Sequence, residues 1–200
     1  LFASLGSKNI RPFFSRRIGL ASPVIGGARL SGKLGSNYRL GIMSMQTDAN
    51  GETPASNFTV ATLQRKILTR SSLSVFLVNK ESGLQDNSDG SDNSYNQVSG
   101  IDFNLASVDN LWTGKAFFHQ AIYKNAGDNA FAAATSIKYN TGTVSAHMGY
   151  SFVGSDFQAD VGFVKRIGFH RFGSDLEFKF YPKEGNILNH GPAFKFYNVL

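Results

Sequence analysis

The chain contains no cysteine, which excludes disulfides and thiolate metal sites. Its histidines, His119, His147, His170 and His190, lie singly along the sequence and offer little to a zinc cluster. Proline is scarce, at 5 residues, and the clearest alternating stretches contain none. No window approaches the roughly 18 apolar residues that a membrane helix requires, so any bilayer span must be built from strands. Acidic residues are the minority charge, 14 against 20 basic, for a net charge of +6. The Lys and Arg are nevertheless spread along the chain without a block or stripe, which argues against a nucleic-acid partner.

What is abundant is glycine, at 21 residues, and phenylalanine, at 18. Ser, Asn and Thr run throughout, and no long stretch repeats every 3.6 residues. This is the composition of many strands joined by turns. The cleanest case is a hairpin. Phe131, Ala133, Thr135, Ile137 and Tyr139 share one face; after Asn140-Thr141-Gly142, Val144, Ala146, Met148, Tyr150 and Phe152 share the next. Each run is about 10 residues, the length a tilted strand needs to cross a bilayer.

Similar alternation predicts strands over 28–34 and 38–45, 58–67, 101–105, 112–122 and 175–180, and 73–79, apolar on both faces and so less diagnostic of one, supplies another. The connections between them alternate in length. Tight turns at 35–37, 69–71, 107–110 and 140–142 are interleaved with longer polar segments at 48–56, 81–93 and 125–129. Short periplasmic turns and long extracellular loops are the outer-membrane pattern. The expected fold class is therefore all-β, an antiparallel transmembrane β-barrel of large size, with its apolar face toward lipid. Residues 1–200 read as part of one such barrel domain, with both chain ends inside a longer protein and further strands elsewhere. The regular pattern falters between Gly154 and Gly173, where the chain is expected to fold inward or break a strand.

Three stretches carry a family resemblance. Arg11-Pro12-Phe13-Phe14-Ser15-Arg16-Arg17-Ile18-Gly19 is followed by Pro23-Val24-Ile25-Gly26-Gly27-Ala28-Arg29-Leu30-Ser31-Gly32-Lys33. Further along come Asn57-Phe58-Thr59-Val60-Ala61 with Gln64-Arg65, and Asp156-Phe157 through Val161-Gly162-Phe163-Val164-Lys165-Arg166. In this order they resemble a family of large Bacteroidetes outer-membrane proteins. Their C-terminal region is an uncharacterised barrel domain, preceded by a carbohydrate-binding module similar to family nine. The resemblance implies an outer-membrane location, in contact with lipid and lipopolysaccharide, and an N-terminal module outside this chain. It brings no mechanism.

The candidate chemistry is sparse. No histidine has a second histidine or a carboxylate at ligand or triad spacing, so no catalytic, cofactor or metal residue is expected. Asp102, Asp160 and Glu177 are strand carboxylates that would hydrolyse glycosides only if brought close together. The acidic stretch Asp86–Asp92 suggests calcium but fails the EF-hand template at its first and twelfth positions. Gly26-Gly27 lacks the following helix of a phosphate loop and reads as a strand bend or close packing.

Basic residues are densest in the set Arg11, Arg16, Arg17, Arg29, Lys33, Arg39 and Arg65. Arg16, Arg17, Arg29, Lys33 and Arg65 are the candidates to line the barrel interior. There they would either favour anionic solutes or pair with barrel carboxylates and hold a plug. The functional expectation is a pore, receptor or scaffold, alone or in a complex of outer-membrane proteins. The alternative is an anchor for a glycan-binding or glycan-processing module, and no feature of this segment points to an enzyme.

Overall fold

The computed structural model describes residues 1–51, 53–83, 94–184 and 187–200. The acidic stretch considered for calcium lies outside the described residues. The strands, in chain order, are β1 (Ile10–Arg11), β2 (Val24–Leu34), β3 (Tyr38–Thr47), β4 (Ser56–Ile67), β5 (Ser71–Ser82) and β6 (Ser94–Ala106). They continue with β7 (Trp112–Tyr123), β8 (Phe131–Asn140), β9 (Val144–Val153), β10 (Phe163–Val164), β11 (Phe169–Phe178) and β12 (Ala193–Val199). Ten of them form one antiparallel sheet in the order β12-β11-β9-β8-β7-β6-β5-β4-β3-β2. The remaining two, β1 and β10, pair as a separate ribbon. The fold is all-β, and the large sheet is open, with β2 and β12 at its edges.

Eight consecutive strands, β2 to β9, form an up-and-down meander, and each is 10 to 13 residues long. Several strands outrun their sequence patterns. Strand β6 begins at Ser94, not Ile101, and β11 begins at Phe169, within the stretch expected to be irregular, and ends before Phe180. The early part of β6 escaped because Gln97 and Ser99 are polar on the face where Ile101 and Phe103 are apolar.

The two faces of the sheet differ in what covers them. One is overlaid by residues 1–23 and 154–168, which form an inner layer; the other is open. The ribbon of β1 and β10 joins the two inner segments through Ile10↔Val164 and Arg11↔Phe163. Phe14 N–H donates to Val161 O at 2.7 Å, and Lys165 N–H to Asn9 O at 3.0 Å. Phe2, Leu5, Ile10, Phe13, Phe157 and Val161 of the inner layer are buried in one cluster with Phe58, Val60, Phe76, Val78, Val98 and Phe117 of the sheet. Val60, Val78 and Val98 are successive cross-strand partners. Full burial of each contributes about 1.5–3 kcal/mol.

On the open face an unbroken row of cross-strand partners runs Leu40, Leu63, Val75, Ile101, Phe118, Ala133, Phe152 over the seven strands β3 to β9. Val75, Ile101 and Phe118 are 44%, 50% and 49% exposed. Neighbouring rows add Leu73 with Phe103, Ile137 with Met148, and Leu176 with Phe194. Two rows nearer the longer connections turn polar: Ser44–Thr59–Asn79–Gln97 and Gln46–Asn57–Glu81. At the tight-turn end Trp112 packs on its partner Tyr139, with ring centroids 4.7 Å apart.

Gly27 explains itself by close approach. A Cβ there would strike the Met45 sulfur and the Ser44 carbonyl across the β2–β3 pair, next to a register shift at Val24/Gly26.

Candidate functional site

The covered face grades along the strands. Midway along the strands it is apolar, around Val60, Val78 and Val98; toward the longer connections Ser56, Lys80, Ser82 and Asn96 make it polar, and toward the tight turns it becomes polar and charged. At the boundary one cross-strand row reads Lys33, Arg39, Gln64, Ser74, Asp102, Phe117, Ala134, Ser151, Arg171. Asp102, on β6, is its centre of chemistry.

The Asp102 side chain is 1% exposed and His119, on β7, is 0% exposed. Asp102 Oδ1 lies 2.7 Å from His119 Nε2. Its other oxygen accepts from the Gly6 backbone N–H at 2.6 Å and lies 3.3 Å from Lys115 Nζ. Lys115 Nζ in turn donates to Ser4 O at 2.6 Å. A carboxylate removed from water is tolerated only when paired and hydrogen-bonded. Here the compensation comes from the sheet and from the inner layer together, so the site latches residues 4–6 to β6 and β7.

The register builds this contact. Asp102 stands opposite Phe117 and His119 opposite Gly100, so the two polar side chains are diagonal neighbours on one face. A Cβ on Gly100 would collide with the Phe118 carbonyl and the His119 ring, so glycine makes the room that the imidazole occupies. The ring is fixed by stacking on Phe117, with centroids 4.4 Å apart, and by an edge contact with Phe76 at 4.9 Å. His119 Nδ1 is buried without a partner. A proton on Nε2 leaves at Nδ1 only a lone pair with no donor, which costs less than a buried N–H with no acceptor.

Further polar bolts hold the second inner segment. Lys80 Nζ pairs with Asp160 Oδ2 at 3.0 Å. Asn96 donates to Gln158 O at 3.1 Å and accepts from Asp160 N–H at 3.0 Å. Tyr123 Oη donates to Asp156 O at 2.7 Å. Between the Ser7–Ile10 turn and strands β7, β8, β9 and β11 lies a cavity of about 390 Å³, lined by Lys8, Lys115, His147, Arg171 and Tyr197 among others. Two of these meet a carboxylate: Asp175 lies 3.3 Å from His147 Nδ1 and accepts from Tyr197 Oη at 2.8 Å.

No histidine has a carboxylate at ligand or triad spacing along the sequence, yet the fold brings Asp102 to His119 and Asp175 to His147. The spacing that matters is set by strand register, 17 and 28 residues along the chain. Asp102, Asp160 and Glu177 each take a different lysine, Lys115, Lys80 and Lys179 respectively, Asp102 also taking the His119 ring, and they form no common carboxylate pair. Among the described residues there is no group of three His, Asp or Glu positioned for a metal ion.

The basic residues divide. Arg29 and Lys33 lie on the covered face, with the Arg29 guanidinium 5.1 Å from the Phe2 ring centroid. Arg16 and Arg17 belong to a 3-10 turn of the inner layer, where Arg17 Nε donates to Gly162 O at 3.2 Å. Arg65 is on the open face. It is the partner of Tyr38, with its guanidinium 5.5 Å from that ring centroid, and shares its parity with Leu63, not with Gln64. It therefore lies on the face opposite that of Arg29 and Lys33.

No known family, curated protein or solved structure matches this chain.

Proposed function

We propose that this chain forms part of the wall of an outer-membrane β-barrel whose interior carries a built-in plug, the inner layer of residues 1–23 and 154–168. The observation that carries this reading is that the sheet carries a continuous apolar zone on each of its two faces. One apolar face is satisfied by the inner layer. The other carries a continuous apolar row across seven strands, with Leu63, Val75, Ile101 and Phe118 exposed, the kind of contiguous apolar surface that marks a membrane or protein contact. Lipid satisfies such a face, and strands of 10 to 13 residues suffice to cross its hydrocarbon core.

The polar rows next to the longer connections, and the Trp112–Tyr139 pair at the tight-turn end, support a band bounded by two interfaces. In this reading the longer connections face outward from the cell, the unpaired edges of β2 and β12 are closed by further strands, and passage of a solute requires displacement of the inner layer. The role is that of a gated pore or receptor.

The test is conductance of the full-length protein in planar bilayers. Wild type is expected to be closed at rest, and Asp102→Ala, which loosens residues 4–6, to open intermittently. A native protein that partitions into the aqueous phase without detergent overturns the membrane reading. A membrane-embedded protein that stays sealed in both forms overturns the plug.

A further inference from the structure

At the tight-turn end of β2 to β5 the covered face forms a recess of about 410 Å³. Four cations line it: Lys33 on β2, Arg39 on β3, Lys66 on β4 and Arg70 in the turn before β5. Its other walls include the neutral hydrogen-bonding side chains of Asn37, Gln64 and Ser72. Among the described residues no carboxylate lines it.

Lys33 and Arg39 are direct cross-strand partners. Like charges in that position repel and destabilise the pair. None of Lys33, Arg39 and Lys66 has an ion pair among the described residues, and Arg70 Nη1 reaches only the Val108 carbonyl at 3.3 Å. The carboxylate of their own row, Asp102, lies three strands from Arg39, about 14 Å away at the usual strand spacing. It is already bound to His119, Lys115 and Gly6. The repulsion is thus uncompensated among the described residues.

We propose that this recess binds a phosphate group, whose charge neutralises the Lys33–Arg39 repulsion and whose oxygens accept from the surrounding cations, with Gln64 and Ser72 as neutral donors. The Arg39 guanidinium supplies the planar fork that suits two phosphate oxygens, and the lysines supply point charge. Gln64 Nε2 already donates to Ser72 Oγ at 3.2 Å, which leaves the Ser72 hydroxyl hydrogen free to turn into the recess. The site rests on β2 to β5 and their turns alone and does not depend on closure of the sheet. A phosphate could arrive on a free solute or on a lipid headgroup, and the chemistry at the cations is the same.

The test is titration calorimetry of the full-length protein, folded in neutral detergent, with inorganic pyrophosphate in one arm and phosphatidylglycerol-doped micelles in the other. Saturable binding is expected in at least one arm, weakening tenfold or more in Lys33→Gln/Arg39→Gln and falling with ionic strength. The pyrophosphate arm assigns a free phosphate, the lipid arm a headgroup. Because the double variant removes a repulsion, it is expected to fold at least as well as wild type. Thermal unfolding supplies the second readout: pyrophosphate or phosphatidylglycerol raises the midpoint of wild type and leaves the variant unmoved. Absence of saturable binding in both arms, or binding undiminished in the variant, overturns the proposal.

Discussion

His119 Nε2 lies 2.7 Å from Asp102 Oδ1, with both side chains shut away from solvent between β6, β7 and the chain's first residues. The contact has the geometry of a catalytic dyad but not its surroundings. His119 Nδ1 faces no partner, and the ring is clasped by Phe117 and Phe76 with no side open to a substrate. What the dyad does touch is the inner layer, through Gly6 N–H and, by way of Lys115, Ser4 O. Its role is to position that layer.

Asp102→Ala removes the one anion shared by His119, Lys115 and Gly6. Breaking a buried ion pair by deleting one partner costs about 3–5 kcal/mol, because the remaining groups stay buried and unpaired. Lys115→Met costs a comparable amount, since it leaves the Asp102 carboxylate, 1% exposed, without its cation even though the contacts with His119 and Gly6 survive. Urea unfolding in detergent measures both losses. Limited proteolysis checks the location: cleavage within residues 1–10 accelerates in Asp102→Ala while β8 and β9 stay protected.

Much of this sheet was legible because each strand face meets a single environment. β8 and β9 alternate cleanly, and their 140–142 turn falls where Gly142 suggests. β5 is apolar on both faces and resisted the same reading; the structure supplies the reason, since Phe76 and Val78 pack under the inner layer while Val75 stands on the open face. The parity of Arg65 with Leu63 already sets it on the opposite face from Gln64, which is where the structure has it. The Asp102–His119 contact was beyond reach, since a diagonal pair across β6 and β7 depends on register, and shifting that register by one residue reverses every face. Residues 1–23 have no period at all, as their structure is dictated by the surface they cover.

Gly100→Ala separates the dyad from its supports without altering either ionisable group. The added methyl meets the Phe118 carbonyl and the His119 ring, and relieving such overpacking typically costs about 1–3 kcal/mol. Hydrogen exchange is expected to rise at Gly6, whose N–H is bonded to Asp102, as well as along the β6–β7 pair. Gly142→Ala is the control: no atom lies within 4 Å of the added Cβ, so exchange at Gly6 should not change.

The turn between β6 and β7 carries its own acid-sensitive group. The Ser107 hydroxyl and the Leu111 N–H both donate to the Asp109 carboxylate, and they hold its pKa below the ordinary aspartate value. Its contribution to the turn is therefore fully present above the unfolded pKa and is lost as pH falls through the lowered folded value. A carboxyl chemical-shift titration should show Asp109 protonating at lower pH than an aspartate in an unstructured peptide, and Ser107→Ala should move the midpoint upward. A midpoint unchanged by that substitution would show that the hydroxyl contributes nothing.

The open face separates membrane from water most sharply. Ile101 and Gln97 lie on the same strand and the same face, four residues apart, Ile101 within the apolar row and Gln97 in the polar row beside the longer connections. In a bilayer the cost of a charge depends on depth. Ile101→Arg should destabilise by about 2–4 kcal/mol and Gln97→Arg by about 0–1 kcal/mol, measured by urea titration of the protein folded into lipid vesicles. Were the face bathed in water, both substitutions would fall within about 0.5 kcal/mol of wild type. The gap between the two variants is therefore the informative quantity. A gap near zero would mean that Leu63, Val75, Ile101 and Phe118 are covered by something other than lipid, and a gap of several kcal/mol would locate the hydrocarbon boundary between the rows of Gln97 and Ile101.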